Sequence, residues 1–298
     1  MYNLESLSLE DLKNIFEQAK YVADENILLS VFLSLKLKKP LLIEGEPGCG
    51  KTEIAKVLSS GLNTELIRLQ CYEGLTASET IYEWDYMRQL IEIKIKEAYK
   101  DTANLENYIF SEKFLLKRPL LKAILHEGPM PPVLLIDEID RADEEFEGFL
   151  LEFLAEYQVT IPELGTFKAK QEPLVIITSN RTRELGDGLR RRCLYLYIGY
   201  PNYEKELKIV KLKVPQLNEK ISEQIVKIIS KIREMDNILK KPGISETLDL
   251  SRAVNVSNLK ELNSSTILKY LGCIAKNPDD FSTLLKVDFS SLISEQNK

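Results

Sequence analysis

The chain has 298 residues, of which 44% are hydrophobic and 29% are charged, and its formal net charge at pH 7 is −6. This length and apolar content suffice for a core domain and a smaller second domain. The negative charge argues against a general attraction to nucleic acid, and the four cysteines and single histidine lack the spacing of a structural zinc site.

The first predicted element is a helix near the N-terminus. Ser8 and Asp11 have the spacing of a capping box, and Leu12, Ile15 and Phe16 follow at helical intervals. The sequence before this helix lacks a basic segment followed by an apolar core, and no run in the chain approaches about 18 uninterrupted apolar residues. We therefore expect no membrane span and a location in the cytoplasm.

A strand, a glycine-rich loop and a helix are predicted next. Apolar residues 40–43 precede the loop, and residues 51–60 have apolar side chains at helical spacing before Gly61, which predicts the helix end. The loop fits the pattern G-x-x-x-x-G-K-[ST]. Its residues are Gly45, Glu46, Pro47, Gly48, Cys49, Gly50, Lys51 and Thr52, and Glu53 follows.

In this context the glycine-rich loop has a known mechanism. Backbone N–H groups surround phosphates at a helix N-terminus, where the helix dipole also favours anions. Lys51 is predicted to reach the β- and γ-phosphates, and the Thr52 hydroxyl to hold Mg²⁺. The motif thus predicts a bound nucleoside triphosphate. Because Cys49 lies in this positive environment, we also hypothesise that its thiol has a lowered pKa and is open to oxidation.

A long polar and aromatic segment follows, over residues 84–118, and its pattern is mostly helical. It is either a surface that contacts another protein or a surface embellishment. The next apolar run, residues 133–136, ends in Asp137 and Glu138. Such a strand delivers carboxylates to the edge at which open α/β sheets bind ligands. Asp137 is predicted to bind Mg²⁺, directly or through water, and Glu138 to polarise the attacking water.

The predicted helix 143–157 is followed by a predicted β-hairpin over residues 158–168. The apolar run 174–179 then predicts a central parallel strand that ends at Asn180. Asn180 either lies near the γ-phosphate or caps the following turn.

Three consecutive arginines precede the strand predicted over residues 194–198. Arg190, Arg191 and Arg192 form either a solvated basic turn or a group that presents a guanidinium to the γ-phosphate of a neighbouring subunit.

The C-terminal part of the chain has helical periodicity. One buried stripe is predicted, formed by Ile221, Ile225, Ile228, Ile232 and Met235. We place the domain boundary after the last strand, which gives an α/β domain over residues 1–201 and a helical domain over residues 202–298.

The order of these motifs resembles that of the AAA+ ATPases, and more closely their MoxR branch. The matching segments are 45–52 for Walker A, 134–140 for Walker B, 178–180 for sensor 1, 189–193 for the arginine finger and 250–253 for sensor 2. Segments 71–75, 82–86 and 141–146 are similar to the accessory ATPase of aerobic carbon monoxide dehydrogenase clusters.

The resemblance implies a fold and further site residues. The fold is an AAA+ P-loop NTPase core, with a parallel β-sheet flanked by helices, plus a small all-α lid. Arg192 matches the finger, with Arg191 beside it, and Arg252 matches sensor 2, which reaches the nucleotide from the lid. Gln70 matches the polar switch, where Asn is more common, and Cys193 replaces the usual Phe after the finger, so that Arg191 or Arg190 is also possible as the finger.

The resemblance also implies a function. It indicates an ATP- and Mg²⁺-dependent ATPase that forms a homo-oligomeric, hexameric ring and remodels or matures a client protein. The client would be a molybdenum-containing enzyme similar to carbon monoxide dehydrogenase, and a von Willebrand A-domain protein is an implied partner. The hairpin 158–168 would line the pore of the ring, and segment 84–118 would face the ring surface or the client.

Three other classes of protein share part of this pattern. A nucleic-acid motor or clamp-loader-like ATPase has the same nucleotide motifs and would respond to DNA or RNA with steep salt dependence. A small-molecule kinase can have a similar glycine-rich loop, although Asp137, Asn180 and Arg252 fit it poorly. A nucleotide-binding scaffold that hydrolyses little is the third alternative, and Glu138 argues against it.

Overall fold

The computed structural model describes residues 4–99, 104–259 and 261–290. The strands are β1 (Leu41–Gly45), β2 (Leu66–Gln70), β3 (Tyr82–Trp84), β4 (Leu115–Lys117), β5 (Val133–Asp137), β6 (Gln158–Ile161), β7 (Gly165–Lys168), β8 (Leu174–Ser179) and β9 (Leu194–Ile198). The helices of the first two thirds of the chain are α1 (Leu9–Gln18), α2 (Glu25–Leu37), α3 (Lys51–Gly61), α4 (Ala77–Ile81), α5 (Tyr86–Ala98), α6 (Leu105–Ile109), α7 (Pro119–Ile124), α8 (Glu144–Glu156) and α9 (Asp187–Arg192). The remaining helices are α10 (Tyr203–Lys213), α11 (Glu219–Glu234), α12 (Ile244–Val256), α13 (Ser264–Lys269), α14 (Leu271–Ile274) and α15 (Pro278–Leu284).

Internal contacts divide the chain into two compact units. The first contains the described parts of segments 1–15, 25–44 and 52–196, and the second contains segments 16–24 and 45–51 with the described part of 197–298. The glycine-rich loop thus clusters with the C-terminal helices. The boundary after residue 201 stays a prediction.

The first unit is built on a five-stranded sheet with the order β2-β5-β8-β1-β9. The neighbouring pairs β2/β5, β5/β8 and β8/β1 are parallel. Every residue of β1, β5 and β8 is buried, which explains why apolar residues dominate these strands. Glu44 in β1 and Asp137 at the end of β5 are buried carboxylates. The carboxyl ends of these strands lie at one edge of the sheet, and the glycine-rich loop, Glu138 and Asn180 each follow one of these ends.

Two helices of the first unit illustrate what local sequence determines. At α1 the capping box is confirmed, since Asp11 N donates to Ser8 Oγ at 3.1 Å and Ser8 N donates to Asp11 Oδ2 at 3.0 Å. At α3, Gly61 belongs to the last turn instead of ending the helix before it. A Cβ on Gly61 would lie 2.1 Å from Ile15 Cγ2, so close packing explains this glycine.

The segment 84–118 is less uniformly helical than its pattern predicts. It contains α5 and α6, but its two ends form β3 and β4, which pair antiparallel with Trp84 opposite Leu115. Residues 100–103 of the segment lie outside the described residues. Six apolar side chains of α5 and its C-terminal end are exposed, namely Tyr86, Met87, Leu90, Ile91, Ile95 and Tyr99.

The hairpin predicted before β8 is present as β6 and β7. These strands pair antiparallel with Gln158 opposite Lys168, and the Thr160 and Thr166 hydroxyls are 2.9 Å apart. Gly165 at the turn has φ = +87°, a conformation that most other residues adopt only with strain.

The second unit has a helical core of its own. The isoleucines at 221, 225, 228 and 232 on α11 are buried, and residues of α12 to α15 pack against them. A buried ion pair joins two of its helices: Arg233 Nη1 and Nη2 donate to Glu206 Oε2 and Oε1 at 2.6 and 2.7 Å. Thr247 of α12 donates to the same carboxylate at 2.5 Å. In the part of the chain that the structure describes, no helix is sufficiently long and apolar to cross a membrane.

Candidate active site

The glycine-rich loop between β1 and α3 forms a cradle closed by its own lysine. Gly48 and Gly50 have φ values of +72° and +86°, which an L side chain rarely adopts. Lys51 Nζ donates to the carbonyls of Gly45 and Glu46, both at 2.8 Å. These two contacts hold the ammonium group against the backbone of the loop.

Within the second unit, the start of α12 contacts this loop. Ser245 N donates to the carbonyl of Gly48 at 3.3 Å. A cavity of about 640 Å³ lies beside the loop, within the size range of small-molecule sites. Its lining comprises Glu46, Pro47, Gly48, Tyr200, Leu239, Lys240, Lys241, Pro242, Glu246, Ile274 and Lys276. The lining combines apolar side chains with three lysines and two glutamates, and its volume suits a nucleoside attached to phosphates.

The hypothesis of a reactive Cys49 is wrong. The side chain is 3% exposed, and burial raises the pKa of the thiol to about 11, against the opposing effect of the Lys51 charge. The loss of solvent around the thiol therefore outweighs the positive environment that suggested a thiolate.

The residues predicted to hold Mg²⁺ are brought together at the sheet edge. Thr52 Oγ1 donates to Asp137 Oδ1 at 3.0 Å, and Thr178 Oγ1 donates to the same oxygen at 2.5 Å. Hard oxygen ligands of this kind fit Mg²⁺, which usually takes one or two protein ligands and completes its shell with phosphates and water. Across residues 4–99, 104–259 and 261–290, no group of three or more His, Cys, Asp or Glu side chains is arranged to hold a metal. The donor set therefore fits a cation that is bound together with a nucleotide.

Glu138 follows β5 in an unusual backbone conformation. Its φ and ψ are 57° and 51°, in the left-handed region that few non-glycine residues occupy. Its carboxylate accepts hydrogen bonds from Gln70 Nε2 at 3.1 Å and from Asn180 Nδ2 at 3.3 Å. Arg141 Nη1 lies 3.6 Å from it. The structure thus joins the predicted water-activating group to the residues that match sensor 1 and the polar switch.

Asp140 fixes the loop that positions Asn180. Its carboxylate accepts from the backbone N–H groups of Asn180 and Thr182 at 3.1 and 2.9 Å and from the Thr182 hydroxyl at 2.6 Å. Burial alone would raise the pKa of Asp140, but the hydrogen bonds from Thr182 and Asn180 outweigh it and lower the pKa below its ordinary value. A charged Asp140 therefore anchors the loop after β8, and the Asn180 side chain remains directed at Glu138.

Sequence reasoning missed Arg68 on β2. Its Nε and Nη2 donate to Asp137 Oδ2 at 3.0 and 2.6 Å, and Nη2 also donates to Gln70 Oε1. The signal was available in part, because alternation along a strand places residues 68 and 70 on the same face.

The three arginines of α9 have different surroundings. Arg190 Nη2 donates to Glu44 Oε1 at 3.0 Å, and the buried Glu44 carboxylate also accepts from the Tyr195 hydroxyl at 3.0 Å. Arg191 is 84% exposed and lies 4.0 Å from Asp187, whereas Arg192 Nη1 donates to the carbonyl of Leu151 at 2.9 Å. Arg190 is thus paired with a buried carboxylate, whereas Arg191 and Arg192 are exposed, Arg192 with a hydrogen bond to a backbone carbonyl.

Two further predicted residues lie on helices. Glu53 is in the first turn of α3 and pairs with Lys56 at 3.1 Å. Arg252 is on α12, where its guanidinium lies 3.8 Å from Asp249 and the side chain is 58% exposed.

A parallel sheet with a glycine-rich phosphate loop after one strand, and a carboxylate pair and an asparagine after two others, defines a P-loop NTPase of the AAA+ class. A family model described as AAA domain (dynein-related subfamily) matches residues 40–193. The chain belongs to this family and is an ATPase.

The chain is also similar to individual known proteins. The chain is 25% identical over 263 residues to an uncharacterised protein of Staphylococcus haemolyticus, covering 84% of this chain and 90% of that protein. It is 23% identical over 237 residues to the gas vesicle ATPase GvpN of Haloferax mediterranei, covering 74% and 66% of the two chains. A RuvB mutant from Thermotoga maritima has a similar fold, with a TM-score of 0.50 and 17% identity over 96% of this chain and 75% of that chain.

Proposed function

We propose that this protein is a Mg²⁺-dependent ATPase of the MoxR type, which forms a homo-oligomeric ring and uses hydrolysis to remodel or mature a client protein. The observation that supports it most strongly is the joining of Glu138 to both Gln70 and Asn180. Gln70 can hold or release the Glu138 carboxylate, which suits an ATPase whose turnover depends on the neighbouring subunits of a ring. The relative named as a gas vesicle ATPase supports placing this chain in the same branch.

Each motif residue has a proposed role in this reaction. Residues 45–53 hold the nucleotide, and Lys51 interacts with its phosphates. Thr52 and Asp137 hold Mg²⁺, which neutralises phosphate charge when bound. Glu138 accepts a proton from the attacking water, which Asn180 helps to orient.

The proposed role of the α9 arginines requires a second subunit. We assign the finger to Arg192, with Arg191 as the other candidate, since Arg190 is engaged by Glu44. A finger acting on the γ-phosphate of the neighbouring subunit raises the rate by roughly 10³ to 10⁵. Arg252 is proposed to reach the nucleotide from the lid, residues 202–298.

The ATPase rate per subunit, measured against protein concentration, tests the ring mechanism. We expect the rate to rise with concentration and to collapse in Arg192→Ala, with ATP binding retained. Mixing Arg192→Ala with Glu138→Gln subunits should restore part of the activity, since one subunit then supplies the finger and the other the carboxylate. Co-assembly without rescue, or a concentration-independent rate that survives Arg192→Ala, contradicts a shared site.

The same assay separates the nucleic-acid motor from the protein remodeller. DNA or RNA is added over a range of salt concentrations, and the remodeller predicts no response. Stimulation with steep salt dependence would favour the motor. The fold of RuvB, at the identity seen here, does not distinguish the two.

We infer the client from the resemblance of segments 71–75, 82–86 and 141–146 to the carbon monoxide dehydrogenase accessory ATPase. The client is then a molybdenum-containing enzyme, with a von Willebrand A-domain protein as partner and the cytoplasm as the location. The test is the completeness of the metal centre in that enzyme, produced together with this protein or with its Glu138→Gln variant. Equal occupancy with both forms would contradict this assignment and leave the ATPase itself untouched.

A further inference from the structure

Arg68 lies in the middle of a hydrogen-bond chain that joins the two acidic groups of the site. Its guanidinium donates twice to Asp137 Oδ2, at 3.0 and 2.6 Å, and also to Gln70 Oε1. Gln70 Nε2 in turn donates to Glu138 Oε2 at 3.1 Å. The carboxylate proposed to hold the cation is thereby linked, through two residues of one strand, to the carboxylate proposed to activate water.

The backbone makes this link specific. Arg68 and Gln70 lie on the same exposed face of β2, and the parallel register places Gln70 opposite Asp137. Because both residues belong to a strand hydrogen-bonded to β5, their positions relative to the two carboxylates are fixed by the sheet.

Donor and acceptor chemistry fixes the orientation of the Gln70 amide. A guanidinium can only donate and an ionised carboxylate can only accept, so the amide oxygen must face Arg68 and the amide nitrogen must face Glu138. The contact of the amide oxygen with Arg68 therefore stabilises the contact of the amide nitrogen with Glu138, and the reverse also holds. Loss of the Arg68 contact leaves the amide oxygen without its donor and frees the side chain to rotate away from Glu138.

A divalent cation at Asp137 acts on the first contact of this chain. Arg68 is a positive group on the carboxylate that would bind the cation, and its side chain is 53% exposed, so it has room to move into solvent. A cation bound to the Asp137 carboxylate would repel the Arg68 guanidinium, and a divalent cation has the larger charge. Cation binding thus weakens the Arg68–Asp137 pair and, through it, the hold of Gln70 on Glu138.

We propose that Arg68 is a positioning residue that couples divalent-cation binding at Asp137 to the release of Glu138 by Gln70. This rests on the proposed function, in which Asp137 holds Mg²⁺ and Glu138 activates water. Before the cation binds, Arg68 neutralises Asp137 and holds Glu138 through Gln70. With cation and nucleotide in place, Arg68 withdraws and Glu138 can turn to the water.

The test measures binding of a fluorescent ATP analogue as a function of Mg²⁺ concentration, which does not depend on hydrolysis. Arg68→Met removes the charge and the donors but keeps the length of the stem. We expect the half-saturating Mg²⁺ concentration to fall about two- to fivefold, as for loss of a competing ion pair whose arginine is half exposed. The matched control is Arg118→Met, which removes an arginine of similar exposure that pairs with Glu83, and should leave that concentration unchanged.

Two further variants locate the coupling. Gln70→Leu should leave the half-saturating Mg²⁺ concentration unchanged, since Arg68 still occupies Asp137, but should raise the ATPase rate at limiting Mg²⁺. Arg68→Lys keeps the charge but offers one ammonium group in place of the guanidinium fork. We therefore expect it to keep the Mg²⁺ dependence of the wild type and to show the raised ATPase rate at limiting Mg²⁺ that is predicted for Gln70→Leu. An unchanged or increased half-saturating concentration in a folded Arg68→Met would overturn the proposal.

Asp137→Asn distinguishes this inference from the proposed function. If Asp137→Asn also leaves the Mg²⁺ dependence of binding unchanged, Asp137 does not hold the cation and the proposed site is wrong. If Asp137→Asn changes it and Arg68→Met does not, the site stands and only the coupling through Arg68 is excluded.

Discussion

Two arginine–carboxylate pairs in this protein have the same chemistry but different surroundings. In the first unit, Arg68 is 53% exposed and reaches a carboxylate at the end of a strand. In the second unit, Arg233 is 9% exposed and binds Glu206 through two parallel hydrogen bonds, with its Nε on the carbonyl of Pro242. The Arg68 guanidinium can move into solvent, and the Asp137 carboxylate, which is 3% exposed, then keeps its hydrogen bonds from Thr52 and Thr178. The Arg233 guanidinium lacks this access to solvent, so opening its pair leaves a buried charge unpaired. The exposure of the arginine thus separates a pair suited to switching from a pair suited to holding helices together.

Glu138→Gln should have the largest effect, and only on the rate. The amide cannot accept a proton from water, so we expect turnover to fall by roughly 10² to 10⁴. Binding of the ATP analogue and the thermal midpoint should change little, because glutamine has nearly the same shape. A parallel Lys51→Ala variant should lose nucleotide binding instead. If Glu138→Gln also unfolded at a much lower temperature, the hydrogen bonds of Glu138 would be structural in the same way as the Arg233–Glu206 pair, which would contradict the comparison above.

Arg233→Met should have the next largest effect, and on stability. It leaves the buried Glu206 carboxylate without its partner, which costs about 3–5 kcal/mol in the free energy of unfolding. Urea unfolding followed by circular dichroism measures the loss. The double variant Arg233→Met/Glu206→Gln should recover part of it, since no unpaired charge then remains. Equal stability of wild type and Arg233→Met would show that the pair is not structural.

Glu44→Gln tests a pair of intermediate burial. Glu44 is buried while Arg190 is 35% exposed, so solvent can replace part of the lost interaction. We expect a loss of about 1–3 kcal/mol on unfolding, the range for hydrogen bonds to charged groups. Because Arg190 belongs to α9, which also contains the proposed finger, the ATPase rate should fall while ATP binding remains. A loss as large as that of Arg233→Met would place this pair with the buried network.

Thiol alkylation of Cys49 should have the smallest effect. With a pKa of about 11, only about one thiol in a thousand is ionised at pH 8, and the side chain is buried. Iodoacetamide at pH 8 should therefore leave nucleotide binding unchanged. Mass spectrometry of the peptide that contains Cys49 checks that it is unmodified. Rapid modification with loss of binding would mean that the glycine-rich loop opens readily.

The sequence predicted best where the signal is continuous along the chain. The buried strands β1, β5 and β8 are mostly apolar, and the loop before α3 is a dense motif, so a parallel sheet with a phosphate-binding loop could be predicted from them. The AAA+ fold followed from the resemblance of the motif order to that family. The mixed segment 84–118 was harder to predict, because β3 and β4 are three residues each and lie about 30 positions apart.

The two arginine–carboxylate pairs could not be predicted, because their partners are distant in the sequence. Arg68 meets Asp137, and Arg233 meets Glu206, only through the tertiary fold, and no local pattern distinguishes these arginines from solvated ones. The predicted lowering of the Cys49 pKa was wrong. The sequence of the loop shows which charges lie near the thiol, but burial, which has the stronger effect on this pKa, depends on packing.

The left-handed backbone of Glu138 has a consequence for how this sequence is maintained. Holding a side chain with a Cβ at φ = 57° costs about 1–2 kcal/mol, which glycine would not incur. A Glu138→Gly variant should therefore be more resistant to unfolding than the natural protein and unable to hydrolyse ATP. Selection for stability alone would remove this glutamate, so its presence reflects a compromise in which activity outweighs robustness.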